Sequence, residues 1–110
     1  MATVNLKESQ LISSIQTLFG SDERLIYFFF NHKNPELRVP GRELLREARC
    51  LSRGEYLLVQ TAIDFWNGEG HTKISDLIEN LDDENFLAVI RGLLQIRGID
   101  LEYLLDDGLC

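Results

Sequence analysis

Cysteine is scarce in this chain. Cys50 and Cys110 are the only two, and no CxxC or Cys/His cluster accompanies either. A cysteine-based metal site is therefore excluded. A disulfide between them would need an oxidising compartment that nothing else in the sequence supports. The plain expectation is one thiol in or near the core and one at a frayed end. Proline is confined to Pro35 and Pro40, both in one connector, so no proline interrupts a helix elsewhere. Long apolar runs are missing too. The stretches Leu25 to Phe30 and Leu57 to Val59 fall far short of the ~20 residues that a bilayer span needs. The start, Met1-Ala-Thr-Val-Asn-Leu-Lys-Glu, lacks the basic opening and apolar centre of a signal peptide, so a cytoplasmic location is expected. Strand-like alternation is almost absent, and no repeat or low-complexity run stands out.

What is present is a globular composition. Hydrophobic residues make up 45% and charged residues 26% of 110 residues, which is enough apolar material for one core and one domain, residues 1–110. The net charge of −7 is unevenly spread. Residues 73–110 hold three basic side chains against nine acidic ones, a balance of −6 that leaves −1 for the other 72 residues. Such a pole repels phosphate backbones, so a nucleic-acid partner is disfavoured. It favours a basic protein partner and steers its approach. The stretch 33–53 is locally basic instead, with Lys33, Arg38, Arg42, Arg46, Arg49 and Arg53 against Glu36, Glu43 and Glu47.

Apolar residues recur at helical spacing along the whole chain. The first helix is expected to start after an Asn5 cap and to carry Leu11, Ile15 and Leu18, widened by Ile12 and Phe19. Ser21 is expected to cap a second, with Asp22 and Glu23 in its positive first turn. Pro40 suits the first turn of a third, with Leu44, Leu45 and Ala48 on its apolar side. Ser52-Arg53-Gly54-Glu55 is a full capping box, and Leu51 with Tyr56 completes a hydrophobic staple. Tyr56, Val59, Ala62, Ile63 and Trp66, broadened by Leu58 and Phe65, then form a face that Asn67-Gly68 ends. Thr72 is expected to cap a short helix bearing Ile74, Leu77, Ile78 and Leu81. Asp82 is expected to cap a long one whose core stripe is Phe86, Ile90, Leu93 and Leu94, with Val89 beside them and Gly98 as its stop. Asp100 would cap a final turn through Leu104. The fold class is all-α, an irregular orthogonal bundle of six or seven short helices.

Few constellations carry chemistry. His32 and His71 lie in expected loops. Asp64 and Glu69 stand near His71 in sequence, and Cys50 or Ser52 are nameable nucleophiles. No motif fixes the geometry of any of these, so no catalytic residue, metal ligand or cofactor is expected. Asp82-Asp83-Glu84-Asn85 lacks the alternating ligands, the glycine and the closing glutamate of an EF-hand, and acids opening a helix are explained by its dipole. Arg42, Arg46 and Arg49 share one helical face; the plain reading is a solvated face, and the functional reading is an anion site. Residues 73–98 can also be read as a helix-turn-helix regulator with the arginine face on the DNA backbone, but its reading end would present acids to phosphates. Tyr27-Phe28-Phe29-Phe30 points around a whole helix circumference. Either that helix is central in the bundle, the expected case, or part of it meets a partner, most simply a second copy in a homodimer. The expected partner-binding residues are Asp82, Asp83, Glu84, Arg42, Arg46, Arg49, Phe28 and Phe29.

Leu51-Ser52-Arg53-Gly54-Glu55, then Trp66-Asn67-Gly68, then Leu81-Asp82-Asp83-Glu84-Asn85-Phe86 give a pattern L-S-x-G-E, aromatic-N-G and L-D-x-x-N-F. Over about half the chain this resembles small bacterial proteins found on mobile elements. The resemblance implies no activity and carries over no functional residue. The expectation is thus a non-catalytic interaction or regulatory protein, a phage or mobile-element factor that holds a basic partner through its acidic back third. A DNA-binding regulator or a small anionic-ligand sensor is the alternative.

Overall fold

The computed structural model describes residues 2–31 and 36–99. His32, Pro35, the expected turn from Asp100 to Leu104, the acids Glu102, Asp106 and Asp107, and Cys110 lie outside the described residues. The chain is an all-α bundle. Its elements are α1 (Ala2–Leu18), α2 (Glu23–Phe29), α3 (Gly41–Glu47), a 3-10 turn (Ala48–Cys50), α4 (Arg53–Asn67), α5 (Ile74–Asn80) and α6 (Asp83–Arg97). An isolated antiparallel bridge joins Phe30 to Leu37 across the α2–α3 connector.

The caps follow local chemistry. The capping box of α4 forms in full: Ser52 Oγ accepts the Glu55 N–H, and the Glu55 carboxylate accepts the Ser52 N–H, both at 3.2 Å. Asp82 caps α6 by accepting the Asn85 N–H at 2.8 Å. Gly68 and Gly98 end α4 and α6 in the left-handed conformation that favours glycine. Elsewhere the starts differ from expectation. Helix α1 begins at Ala2, because no glycine or proline stops it before Asn5. Helix α2 is capped by Asp22, whose carboxylate accepts the Arg24 N–H at 2.9 Å. Ser21 is spent on the turn itself, with a φ of 60° after Gly20 at 63°. Pro40 sits one position before α3 rather than inside it, and Lys73 rather than Thr72 precedes α5, with no side-chain cap.

Helix α4 is the centre of the bundle. Its Leu57, Leu58, Val59, Thr61, Ala62 and Ile63 are all buried, and together they surround most of the helix circumference. Ile15, Leu18, Phe19, Leu25, Phe29, Leu44, Ala48, Leu77 and Val89 pack into the same cluster. The position expected for the aromatic helix α2 is therefore taken by α4. Helix α2 lies at the side with Tyr27 facing solvent, and Phe29 and Phe30 turned inward.

Helices α1 and α6 make the most extensive pairing in the bundle. Gly92 explains how closely they approach. A Cβ at this position would stand 3.0 Å from the Phe65 ring and 3.3 Å from the Ser14 carbonyl oxygen. Polar bonds fasten the pair. Gln95 accepts from Thr17 Oγ1 at 2.5 Å and donates to Ser13 Oγ at 2.6 Å, while Gln10 donates to the Gln95 carbonyl at 3.1 Å. The face of α6 that enters the core is accordingly small: Ala88, Val89 and Gly92. The stripe expected to be core is split, with Val89 beside it buried and Leu94 half-buried. Ile90 and Leu93 are exposed, as is Leu87, and Phe86 is half-buried. Close approach of two backbones selects small side chains, so the larger apolar face is turned away.

Candidate functional site

The acidic run lies at the start of α6. Asp82, Asp83 and Glu84 are all exposed, and the two that follow the cap stand in the positive first turn. Immediately before it, α5 presents Ile74 and Ile78 on one side, 74% and 63% exposed. Immediately after it, Leu87, Ile90 and Leu93 are 49%, 37% and 46% exposed. Five of the seven large hydrophobic side chains exposed among the described residues therefore belong to α5 and α6. Of these, Ile90 and Leu93 belong to the stripe expected to be core, so this surface is not legible from periodicity. Leu77, between the two isoleucines, is the α5 residue that is buried.

The arginine face does not form a single site. Arg46 pairs with Glu43 one turn away. Arg42 lines a hollow of about 400 Å³ with Leu45, Glu69 and His71. Arg49 lines another of about 390 Å³ with Leu51, Arg53 and Tyr56. Arg53 belongs to the second hollow although the break before Ser52 separates it from the stripe; it lies over the Tyr56 ring at 5.9 Å and 3.9 Å from Asp76.

Phe28 and Phe29 have different surroundings. Phe29 is fully buried, in edge-on contact with Phe19 and Phe30, and serves the core. Phe28 is half-buried beneath the Arg38 guanidinium, 5.1 Å from the ring centre. Arg38 also donates to the Phe28 carbonyl at 2.7 Å and pairs with Glu47 at 2.5 Å. Cys50 is an exposed free thiol.

Asp64 has a role that no sequence signal pointed to. Its carboxylate accepts the N–H groups of Gly70, His71 and Thr72 at 2.8, 3.0 and 2.9 Å. It is the backbone of His71, not the imidazole, that meets this acid. His71 has a φ of 54°, a left-handed conformation that costs energy in any residue but glycine. Gln60 holds the same loop by donating to the Gly70 carbonyl at 2.9 Å. Partial burial acts to raise the Asp64 pKa, but Thr72 and the N–H groups of His71 and Gly70 outweigh it and hold the carboxyl below its ordinary range. Thr72 Oγ1 itself is buried without a partner of normal geometry, so the three N–H groups carry the effect. Glu55 is lowered as well, chiefly by the hydrogen bond from Arg24, which ties α2 to the start of α4.

No group of three or more His, Cys, Asp or Glu residues stands close enough to hold a metal ion among the described residues, and no described helix is long and apolar enough to cross a membrane. Compared with protein-family models, curated protein sequences and solved structures, the chain finds no match. The functional reading therefore rests on its own side chains.

Proposed function

We propose that this chain is a non-catalytic interaction protein that holds a basic protein partner on its α5–α6 unit. One observation carries the reading: Ile74 and Ile78 are bare to solvent directly before the exposed acids Asp82, Asp83 and Glu84. Apolar side chains supply contact area, and the acids steer and orient a partner of opposite charge. The uneven charge of the chain points the same way, since the back third is the negative part. A helix-turn-helix use of the same two helices would set those acids against phosphates.

The test is capture from cell extract with the whole chain as bait, in rising salt. Wild type is expected to recover a basic protein and to lose it as salt screens the contact. Asp82→Asn, Asp83→Asn and Glu84→Gln together are expected to weaken that recovery; asparagine keeps the helix cap, so the fold is preserved. Equal recovery by variant and wild type, or recovery of the bait alone, overturns the proposal.

A second reading has one observation in its favour. Arg49 and Arg53 share a hollow with Tyr56, an arrangement suited to a small anion with an aromatic group. Melting curves with inorganic phosphate and with nucleotides test it: stabilisation that disappears in Arg49→Ala supports the site, and unchanged curves remove it.

A further inference from the structure

The outward face of α6 has a symmetry of its own. Asp83, Leu87, Ile90, Leu93 and Arg97 follow one another at spacings of four, three, three and four. On a helix of 3.6 residues per turn they lie within about 120° of the circumference, and Asp83, Ile90 and Arg97 form its nearly straight midline. All five are exposed. The order reads the same from either end, except that the charges at the ends are opposite.

We infer that this face binds a second copy of itself, with the two α6 helices antiparallel and a two-fold axis beside Ile90. In a two-fold contact, residue i of one chain meets residue j of the other and the reverse. Here Ile90 meets its own copy, Leu87 meets Leu93, and Asp83 meets Arg97. The axis generates each of the last two contacts twice. The apolar centre is closed off by two ion pairs at its rim. None of Asp83, Arg91 and Arg97 has an ion-pair partner within 4.0 Å in its own chain among the described residues. Charge complementarity also selects the direction. A parallel pair would place Asp83 on Asp83 and Arg97 on Arg97, which repel. Two chains of net charge −7 repel as wholes, so a face that balances its own charges is the one able to associate. The contact is a single helix pair, at the low end of specific interface sizes, so the dimer is expected to be reversible and concentration-dependent. Helix α5 is not part of it, and the purified protein alone tests it, so its outcome is separate from that of the basic-partner reading.

The experiment is light scattering or sedimentation of the full chain over a range of concentrations, with far-ultraviolet dichroism to verify folding. Wild type is expected to pass from monomer to dimer. Ile90→Asp is expected to weaken self-association by at least about 30-fold, since central interface residues dominate affinity. Asp83→Arg alone and Arg97→Asp alone each set like charges together twice and are expected to be monomers. Mixed, they are expected to form a heterodimer, because both rim pairs become attractive again. Wild type at monomer mass throughout overturns the inference. Folded single variants that fail to associate on mixing overturn the antiparallel pairing.

Discussion

Asp64 and Gly70 are packed so closely that no side chain fits between them. A Cβ on Gly70 would come within 2.9 Å of the Asp64 carboxylate and 2.2 Å of the Gln60 carbonyl oxygen. The carboxylate uses that closeness to collect three consecutive N–H groups. Gly70→Ala is therefore expected to push the loop off α4 and to cost about 1–3 kcal/mol or more. Asp64→Ala leaves three N–H groups to find water and is expected to cost roughly 1–3 kcal/mol. Urea denaturation of both variants measures this; a loss under half a kilocalorie in either would show that the loop does not depend on the clamp.

The same carboxylate makes stability depend on acid. Asp64 and Glu55 both have pKa values lowered by folding. A lowered value means that the folded state binds protons less readily than the unfolded chain. The contribution is complete above the ordinary carboxylate range, about 3.9 for Asp and 4.3 for Glu, and drains as pH falls through the lower folded values. The melting temperature should be flat near neutrality and fall below about pH 4.5. Glu55→Gln keeps the capping box but loses the charge that meets Arg24, so its acid limb should be shallower. An acid limb identical to wild type would separate Glu55 from the effect.

Phe28 and Phe29 are neighbours in sequence with separate duties. Phe29→Ala empties a fully buried site and is expected to cost about 3–5 kcal/mol. Phe28→Ala removes a half-buried ring under Arg38 and is expected to cost clearly less. Equal losses in calorimetry would contradict this assignment.

Gly92 sets the spacing of α1 and α6. Gly92→Leu is expected to destabilise by about 1–3 kcal/mol through collision with Phe65 and the Ser14 carbonyl. Unchanged stability would mean that the two helices separate freely.

Much of the fold is legible in the sequence because its signals are local. The Ser52-to-Glu55 box, the Asp82 cap, and the stops at Gly68 and Gly98 each depend on a few adjacent residues, and each forms as read. The faces were harder. Periodicity weighs hydrophobic size, and by size α6 should have buried Ile90 and Leu93. The actual choice depended on Gly92, whose missing side chain admits α1, a partner 78 residues away at the Thr17–Gln95 contact. The centrality of α4 over α2 is likewise a packing outcome. The Asp64 clamp was invisible because it joins a helix side chain to loop backbone, with His71 in an uncommon conformation. Of the surface proposed to bind a partner, the exposed acids of α6 are legible as charge in the sequence, and the exposure of the apolar side chains around them is not.

Helix α6 thus carries two faces with different structural surroundings along one length. Changes at Ala88, Val89 or Gly92 should reduce the amount of folded protein, whereas changes at Leu87, Ile90 or Leu93 should leave abundance intact and alter only what the molecule associates with. A saturation library scored for cellular abundance would therefore show tolerance alternating around this one helix, and the tolerant side would be the one that deals with the outside world.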